Sequence, residues 1–477
     1  MNKGTALIVI ELAMVCSPAM SGSDADEASR ALARSIFKEL IEIPTTESGL
    51  GSTPAANAIA RRMRDAGFPA TDIHVVGPSE RKQNLVVRLR GTGKKKPVLL
   101  IGHLDVVEAR REDWSTDPFE FVEKDGYFYG RGTQDMKDGD AIMAATLIRL
   151  RQENFRSDRD IILALTADEE GSNENGVEWL LKNRRDLVDA EFVLNHDGSG
   201  VLLEDGKPVQ VEVTASEKVY ADYELSTSNP GGHSSLPVPD NAIYQLAQGL
   251  VRLAHYEFPF ELNNVTRAYY EQLAKRASGQ RAADLRAILA TPPSQEAIAR
   301  LSRDSIDHAI FRTTCVATRL DAGHANNALP QRAKALVNCR ILPGHSPEEV
   351  RQTLIQVLND PQIAVRYVAT SGAILDTAPS DAGYQPPPPR DDVMKPLERI
   401  AARMWPGAPI VISMSAGASD GVYTSAAGLP TYVVSGEALE RTDVRAHGQD
   451  ERIPIESFNR AVDFYYQYLK QVVNYRN

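Results

Sequence analysis

Three short apolar runs in the first half of the chain are each followed directly by residues that can bind a metal ion. The three junctions are 98–105 (VLLIGHLD), 161–170 (IILALTADEE) and 192–198 (FVLNHDG). A short apolar run of this kind is typical of a strand buried within a sheet. Open α/β sheets bind their ligands at the carboxyl ends of such strands. The repeated placement therefore predicts a metal-binding site at one edge of a sheet.

The first junction combines an imidazole with a carboxylate. His103 and Asp105 are two residues apart, so the alternation of a strand points both side chains the same way. Some thirty residues later, YGRGTQDMKDG carries glycines that allow a tight turn and bring Asp135 back toward His103. Near the C-terminus, AHGQDE adds His447 in a loop. Histidines and carboxylates without a thiol favour a catalytic Zn²⁺ site, with Co²⁺ or Mn²⁺ as substitutes.

The order of predicted elements indicates two domains, as the length of 477 residues also suggests. Strands and helices alternate up to residue 197, among them strands at 73–76 and 84–89, which predicts an α/β domain with a mixed sheet and helices on both faces. From residue 215 the order is strand, helix, two strands, helix and strand, once the polar helical stretch 256–308 is set aside. That order is typical of a four-stranded α+β sheet with two helices.

We therefore predict a main domain at 26–214 and 373–477, completed by a closing helix at 455–473. The inserted α+β domain is expected at 215–372 and includes the helical insertion 256–308. A proline-rich stretch, PPPP at 386–389, predicts an extended linker back to the main domain.

Charge and hydropathy exclude several classes of partner. The net charge is −11 and the chain has no long basic block, which argues against binding to nucleic acid or to anionic membranes. No stretch of the sequence is long and apolar enough to span a bilayer.

The N-terminus resembles a secretory signal peptide at 1–25. Lys3 precedes a mostly apolar run, 5–16, and small residues follow it. The pattern predicts an exported protein, periplasmic or secreted, whereas Glu11 within the run leaves open a cytosolic protein with a start site assigned upstream. Cys315 and Cys339 are interpreted as buried free thiols, although export would permit a disulfide between them.

Five motifs, taken together, resemble the di-zinc metallopeptidase and amidohydrolase family. They are GHLDVV, YGRGTQDMKDG, ADEE, GGHSS and HGQDE, and they occur in the family's order over about residues 30–470. The family includes glutamate carboxypeptidase, carboxypeptidase S, aminoacylase and succinyl-diaminopimelate desuccinylase. The long insertion makes the chain more similar to the carboxypeptidase S branch. The resemblance implies a catalytic domain with an inserted lid domain.

The resemblance also implies a role for each residue of the metal site. His103 and His447 would each hold one of two Zn²⁺ ions, Asp135 would bridge both, and Asp105 would hydrogen-bond His103. Glu169 would act as general base. Two further ligands complete the implied set: Glu170 on the His447 metal and Asp197 on the His103 metal. The family usually has an acidic residue before another acid or Gly here, whereas this chain has NHDG at 195–198, so His196 could align with the ligand position and remains an alternative to Asp197. A cis peptide bond between Asp135 and Met136 is also implied.

Substrate contacts are implied on the lid and in one loop of the main domain. His233 in GGHSS would stabilise the oxyanion of the reaction. Asn327 and Arg340 would bind the free carboxylate of the substrate, for which a guanidinium offers a bidentate fork. Gly417 and Ser419, in GASD, would face the substrate.

The function predicted from these residues is zinc-dependent hydrolysis of an amide bond next to a free α-carboxylate, with a small peptide as substrate. An N-acyl-amino-acid hydrolase is the alternative. A non-catalytic binding protein is disfavoured because the metal set is intact. Whether the protein is a monomer or a homodimer stays open, because the insertion could replace the lid contact through which short family members dimerise.

Overall fold

The computed structural model describes residues 22–171, 174–198, 200–381 and 383–476, so most of the predicted signal peptide lies outside the described residues. Two 3-10 helices occupy Ala70–Asp72 and Arg111–Asp113. The α-helices are α1 (Gly22–Ile41), α2 (Thr53–Asp65), α3 (Lys137–Gln152), α4 (Gly176–Asn183), α5 (Arg185–Val188), α6 (Ala242–Ala254), α7 (Asn264–Arg276), α8 (Gly279–Ile288), α9 (Gln295–Leu301), α10 (Ser305–Ile310), α11 (Pro347–Leu358), α12 (Asp391–Met404), α13 (Gly421–Ala426) and α14 (Ile455–Val473).

The strands form one large sheet, a lid sheet and two small ribbons. They are β1 (Ile73–Val76), β2 (Asn84–Leu89), β3 (Val98–His103), β4 (Val122–Lys124), β5 (Tyr127–Tyr129), β6 (Ile161–Thr166), β7 (Phe192–Asn195), β8 (Val201–Glu204), β9 (Lys207–Glu217), β10 (Val219–Ser228), β11 (Gly232–His233), β12 (Thr314–Ala322), β13 (Ala328–Leu329), β14 (Arg332–Ile341), β15 (Ala364–Val368), β16 (Ile374–Leu375), β17 (Ile410–Ser415), β18 (Thr431–Val433), β19 (Ala438–Glu440) and β20 (Arg452–Pro454).

The large sheet is mixed and buried on both faces. Its order is β1-β2-β6-β3-β7-β18-β9-β8-β19, with β17 also paired to β9. The central strands β6, β3, β7 and β18 run parallel, whereas β1 and β2 are antiparallel to their neighbours. Every residue of β3, β6 and β7 is buried, as expected for strands covered on both sides. Their carboxyl ends therefore meet at one edge, as predicted.

Alternate residues of the central strands enter two hydrophobic cores. Leu100 and Leu163 point into the larger core, which α1, α3, α12 and α14 cover. Leu99 and Ile162 point into the core on the opposite face, which includes Leu180 of α4. The period of two along each strand thus places helices on both faces, which confirms the predicted fold class.

The lid sheet has the order β12-β14-β10-β15-β16, with α6 and α11 packed on one face. The predicted four strands are present, and the short β16 adds a fifth beside β15. Between β9 of the large sheet and β10 of the lid sheet stands Lys218 alone, which is fully buried. The first connection from the main domain to the lid is therefore a single residue, and the first lid strand begins at Val219, after the predicted boundary at residue 215.

The helical insertion packs on the large sheet rather than on the lid sheet. Helix α7 lies against β17, and Tyr270, Leu285 and Phe311 belong to the larger core of the main domain. Asn263, at the start of α7, donates a hydrogen bond from Nδ2 to Sδ of Met414 at 3.5 Å. The prediction assigns 256–308 to the lid domain, whereas α7 to α10 pack against the main domain.

Cys315 and Cys339 form a disulfide between β12 and β14, where the two residues are direct cross-strand partners. The interpretation as free thiols is therefore wrong. The bridge fastens the edge strand of the lid to its neighbour. Within the described ranges, no helix combines the length and the hydrophobicity that crossing a membrane requires.

Candidate metal centre

His103 is the last residue of β3 and is 1% exposed. Its Nδ1 lies 3.0 Å from the backbone carbonyl oxygen of Asp105. Because a carbonyl oxygen only accepts hydrogen bonds, Nδ1 carries the proton there. Nε2, 3.0 Å from Oδ1 of Asp135, faces the candidate site. The strand end and one backbone hydrogen bond thus present this nitrogen as a ligand.

Asp105 supports the site in a way that differs from the prediction. Its carboxylate accepts hydrogen bonds from the backbone N–H groups of Glu169 at 3.1 Å and Glu170 at 2.9 Å. Its Oδ1 is 3.9 Å from Nδ1 of His103, beyond hydrogen-bond distance. Burial raises the pKa of Asp105 to about 6. The carboxylate therefore holds the acidic loop after β6, and the backbone of Asp105 orients His103.

The Asp135 carboxylate lies between the two histidines. Oδ1 is 3.0 Å from Nε2 of His103, and Oδ2 is 2.9 Å from Nε2 of His447. The chain reaches this position through Gly132, whose φ of +90° is unfavourable for other residues. Burial alone would raise the pKa of Asp135, but hydrogen bonds with both histidines lower it overall. The predicted cis bond between Asp135 and Met136 is present.

Three groups of side chains bring ligand atoms within 4.8 Å of one another. They are His103 with Asp135 and Asp197, Asp135 with Glu170 and His447, and His103 with Glu169 and Glu170. Asp135 belongs to the first two groups, as a residue bridging two metals would. Oε1 of Glu170 lies 2.6 Å from Nε2 of His447. All the residues predicted as ligands are thus brought together at one edge of the sheet.

The position of His196 decides between it and Asp197. His196 is buried away from the two metal-binding histidines, with its ring 5.1 Å from that of Tyr465 and its Nδ1 3.6 Å from Oε1 of Glu437. Asp197 donates its backbone N–H to the Asn195 side chain at 3.0 Å and places its carboxylate beside His103 and Asp135. The structure therefore favours Asp197 as the ligand.

The balance of charge at this edge fits divalent cations. Within the described part of the chain, several carboxylates share the edge with the imidazoles of His103 and His447; they are Asp135, Glu169, Glu170 and Asp197. Burial, together with the neighbouring carboxylates, raises the pKa of Glu169 and of Asp197 well above the ordinary range. Buried carboxylates in such number are costly unless cations neutralise them. The donor set, nitrogen and oxygen without sulfur, suits Zn²⁺ and also Co²⁺ or Mn²⁺.

The three predicted lid residues lie at two different ends of the lid. His233 and Asn327 are exposed and adjacent, since the Ser234 N–H donates to the Asn327 carbonyl oxygen at 3.1 Å. Arg340 is at the other end of β14, opposite Tyr220, with its guanidinium 4.7 Å from the tyrosine ring centre. Eight strand positions separate these ends, about 26 Å. Contrary to the prediction that both bind the substrate carboxylate, Asn327 and Arg340 of one chain are therefore too far apart to hold the same group.

Ser419 has a supporting position instead of the predicted contact with substrate. It is 8% exposed, and its hydroxyl lies 2.8 Å from Oε1 of Glu217 and accepts a hydrogen bond from Asn195 at 2.9 Å. Gly417 is exposed, and its N–H donates to Oγ of Ser415 at 3.0 Å. The loop thus presents Gly417 to the outside and uses Ser419 to tie together the ends of β7 and β9.

The sequence analysis missed a residue that shapes the acidic loop. Asp168 has a left-handed φ of +62°, and its carboxylate accepts from the Glu174 N–H at 2.7 Å and pairs with Nζ of Lys82 at 2.9 Å. These contacts turn the chain so that the next two glutamates face the histidines. The acidic run was visible in the sequence, but Lys82 carried no local signal. A cavity of about 290 Å³ adjoins Lys82 and Glu170.

Comparison with known proteins connects this geometry to a family. The model of peptidase family M20/M25/M40 matches residues 99–471. A probable carboxypeptidase S-like 2 of Dictyostelium discoideum is 28% identical over 403 residues, covering 82% of this chain and 75% of that protein. The N-fatty-acyl-amino acid synthase/hydrolase PM20D1 of Mus musculus is 27% identical over 474 residues, covering 95% of this chain and 90% of that protein.

Solved structures share the fold. An M20 family metallo-carboxypeptidase from Sulfolobus solfataricus superposes with a TM-score of 0.69 at 19% identity, covering 92% of this chain and 99% of that one. The family match extends from before His103 to beyond His447 and so includes every candidate metal ligand.

Proposed function

Because the chain belongs to peptidase family M20/M25/M40, and is thereby a hydrolase of peptide or amide bonds, we propose that it is an exopeptidase for substrates with a free α-carboxylate. The observation that carries the proposal is the Asp135 carboxylate, which lies between Nε2 of His103 and Nε2 of His447. That arrangement fits a pair of metal ions, and Zn²⁺ is the ion we propose. Glu169 adjoins the same site.

The chain offers each metal its own set of ligands. His103 and Asp197 would hold one, His447 and Glu170 the other, and Asp135 would contact both. When bound, the ions activate a water molecule and polarise the scissile carbonyl group. The backbone carbonyl of Asp105 keeps the proton on Nδ1 of His103, which leaves Nε2 free as a ligand.

Glu169 is the residue that we propose to move the proton. It stands at the end of β6 with its backbone held by Asp105, and its carboxylate lies within the group formed with His103 and Glu170. It would accept a proton from the attacking water at a carboxylate oxygen and pass it to the nitrogen of the leaving amine. Transfer to the amine completes the cleavage of the C–N bond.

Arg340 is proposed to bind the substrate carboxylate. Its guanidinium stacks on Tyr220 and makes no ion pair with the described residues, so its charge is free for a ligand. A planar guanidinium matches a carboxylate with two parallel hydrogen bonds. Since Arg340 is on the lid and the metal ligands are on the main domain, productive binding requires both domains. The oxyanion role predicted for His233 is not included in this proposal, because His233 lies at the opposite end of the lid, about 26 Å from Arg340, and the two cannot contact one small substrate within one chain.

An N-acyl-amino-acid hydrolase is the second candidate. It is supported by the mouse relative, whose name includes N-fatty-acyl-amino acid hydrolysis and which aligns over most of both chains. Both reactions cleave an amide beside a free carboxylate, so the same residues serve either one. Turnover of a dipeptide and of an N-fatty-acyl amino acid with the same terminal residue would distinguish them.

Metal dependence tests the central proposal. Chelation is expected to abolish hydrolysis, and Zn²⁺ or Co²⁺ added to the metal-free protein is expected to restore it. Metal content measured by mass spectrometry should approach two ions per chain. Full activity of a protein shown to contain no metal would contradict the proposal.

We also propose that the protein is exported. The basic and apolar N-terminal pattern supports this, and so does the disulfide between Cys315 and Cys339, because disulfides persist mainly in oxidising compartments. The N-terminus of the native protein is expected between residues 20 and 26. Mass spectrometry that finds residues 1–16 intact would refute export by this route.

A further inference from the structure

The proposed metal position at His447 is built from irregular chain segments. His447 lies in a loop between β19 and β20 with a left-handed φ of +63°, and its side chain is 53% exposed. Asp135 lies in the turn between β5 and α3. In contrast, His103 ends a buried strand. The separation of Asp135 and His447 must therefore be set by contacts other than regular secondary structure.

Glu451 links the two segments. It is 0% exposed, four residues after His447, and its carboxylate accepts hydrogen bonds from the backbone N–H of Gln134 at 2.7 Å and of Gly132 at 3.3 Å. The same carboxylate pairs with the Arg131 guanidinium. All three donors belong to the residues just before Asp135. One buried carboxylate thus fixes the approach of the chain to the bridging ligand.

The turn before Asp135 reaches back to the His447 loop in the same way. Nη2 of Arg131 donates to the carbonyl oxygen of Gly448 at 3.0 Å, at the residue after His447. Oε1 of Gln134 accepts from the Arg445 N–H at 2.7 Å, and its Nε2 donates to the carbonyl oxygen of Arg452 at 2.7 Å. The contacts run in both directions, so neither segment can shift without breaking several of them.

We propose that Glu451 is a positioning residue that sets the distance between Asp135 and His447 and so maintains the metal position they form with Glu170. The inference rests on the proposed function, because it presumes a metal at that position. Glu451 is not in any of the three ligand groups, so its effect would be exerted through Asp135 and His447. Outer partners of this kind typically contribute a factor of 10–100 to metal affinity.

The variant Glu451→Gln tests this assignment. It keeps the shape of the side chain but replaces one carboxylate oxygen with an NH₂ group, which cannot accept a hydrogen bond and faces the Arg131 guanidinium. We expect the affinity for one of two metals, measured by competition with a chelator, to fall about 10- to 100-fold. The second metal, held by His103 and Asp197, should stay. The visible spectrum of the Co²⁺-loaded protein should lose the contribution of one site.

Two controls separate positioning from general loss of stability. Asp392→Asn weakens a buried ion-pair network with Arg159 and Arg390 at the other end of the sheet, and we expect it to lower the melting temperature without changing metal affinity. Gln134→Ala removes contacts to the His447 loop without touching the pair of Arg131 and Glu451. It is expected to weaken the same metal position less than Glu451→Gln does, because the Glu451 carboxylate stays bound to the turn. If Glu451→Gln does not fold, Glu451→Asp tests the assignment, because it keeps the charge beside Arg131 but shortens the reach to the N–H groups of Gln134 and Gly132.

The outcomes are distinguishable. Two metals bound with unchanged affinity in folded Glu451→Gln, or in Glu451→Asp where Glu451→Gln does not fold, would overturn the assignment of Glu451 and leave the proposed function intact. An equal loss of affinity at both metal positions would also overturn it, because Glu451 is proposed to support the His447 position alone. A wild-type protein that takes up no divalent metal would overturn the proposed function together with this inference.

Discussion

Two adjacent glutamates at the end of β6 have different surroundings. Oε1 of Glu170 lies 2.6 Å from Nε2 of His447, as a ligand of the same metal would. Glu169 lies in the group with His103, and burial with nearby carboxylates raises its pKa. A raised pKa suits a group that must hold a proton during the reaction. A bound metal ion would lower the pKa of Glu169 again.

Replacing Glu169 with Gln should separate metal binding from proton transfer. The amide keeps the shape but cannot accept the proton, so we expect both metals to remain and kcat to fall by roughly 10²–10⁴. Metal analysis and steady-state kinetics on the same preparation measure the two effects. Loss of a metal together with activity would make Glu169 a ligand instead of the base.

Asp138 and Glu437 form a buried carboxyl pair behind the metal site. Burial raises the pKa of Glu437 to about 7, and burial with the charge of Glu437 raises that of Asp138. A carboxyl group whose pKa is higher in the folded state than in the unfolded state binds more protons when folded. Its contribution to stability therefore falls as the pH rises from about 4.5 to about 7.

We predict that Glu437→Gln removes much of this pH dependence. The uncharged amide can donate to Asp138, so the variant should be more stable than the wild type at pH 8, by about 2 kcal/mol, and closer to it at pH 5. Urea unfolding at the two pH values, with metal at saturation, measures the difference. An identical pH dependence in both proteins would show that Glu437 is already ionised in the fold.

Among the single elements, the edge strand β12 of the lid sheet is the one that the disulfide stabilises. Strand β12 is the edge of the lid sheet and is exposed along most of its length, with Val316 and Leu320 open to solvent. Hydrogen bonds to β14 alone hold it on one side. The bond between Cys315 and Cys339 joins the two strands at adjacent positions, which limits fraying of this edge.

Replacing both cysteines with Ala is expected to lower the stability of the lid by about 2–4 kcal/mol. Metal affinity should not change, because no metal ligand lies on the lid. Limited proteolysis should cut within β12 of the variant before it cuts the main domain. Reducing the disulfide of the wild-type protein is the control for the side-chain volume that the Ala substitutions remove. If the Ala variant and the reduced wild type both resist proteolysis within β12, the prediction is wrong.

At the scale of the whole molecule, the residues proposed for hydrolysis lie on two separate domains. The proposed metal ligands belong to the main domain, whereas Arg340 belongs to the lid, and only Lys218 separates β9 from β10. A substrate that contacts both the metal site and Arg340 must therefore span the two domains. The free carboxylate is the feature that the two candidate substrate classes share, so Arg340 should matter for either one.

We predict that Arg340→Ala and amidation of the substrate carboxylate each lower kcat/KM by about 10² or more. A neutral amide would leave the guanidinium without its partner, at a cost of several kcal/mol. Combining the two changes should add little, since both remove one interaction. Arg366→Ala, which breaks an exposed pair with Asp376 on the lid, is the control. Equal turnover of free and amidated substrates by the wild type would exclude carboxylate recognition.

Much of the architecture could be predicted because its signals are local. The strands at 73–76 and 84–89 and the helix at 455–473 have the expected bounds, since each buries a continuous run or one periodic face. The metal ligands were predictable for a related reason. A residue directly after a buried strand has little freedom in where it can lie, so strand ends bring His103, Glu170 and Asp197 to one edge.

The remaining features depend on contacts between segments far apart in the chain. The sequence alone could not show that α7 packs on β17. Nor could it show that the Asp105 carboxylate accepts hydrogen bonds from the acidic loop, or that the Ser419 hydroxyl donates to Glu217. Hydrogen-bond partners are chosen by distance in space, and nothing in the local pattern records that distance. Residue types and spacing therefore determined the metal-binding edge, whereas tertiary packing decided which neighbours support it, because those neighbours meet only when the whole chain has folded.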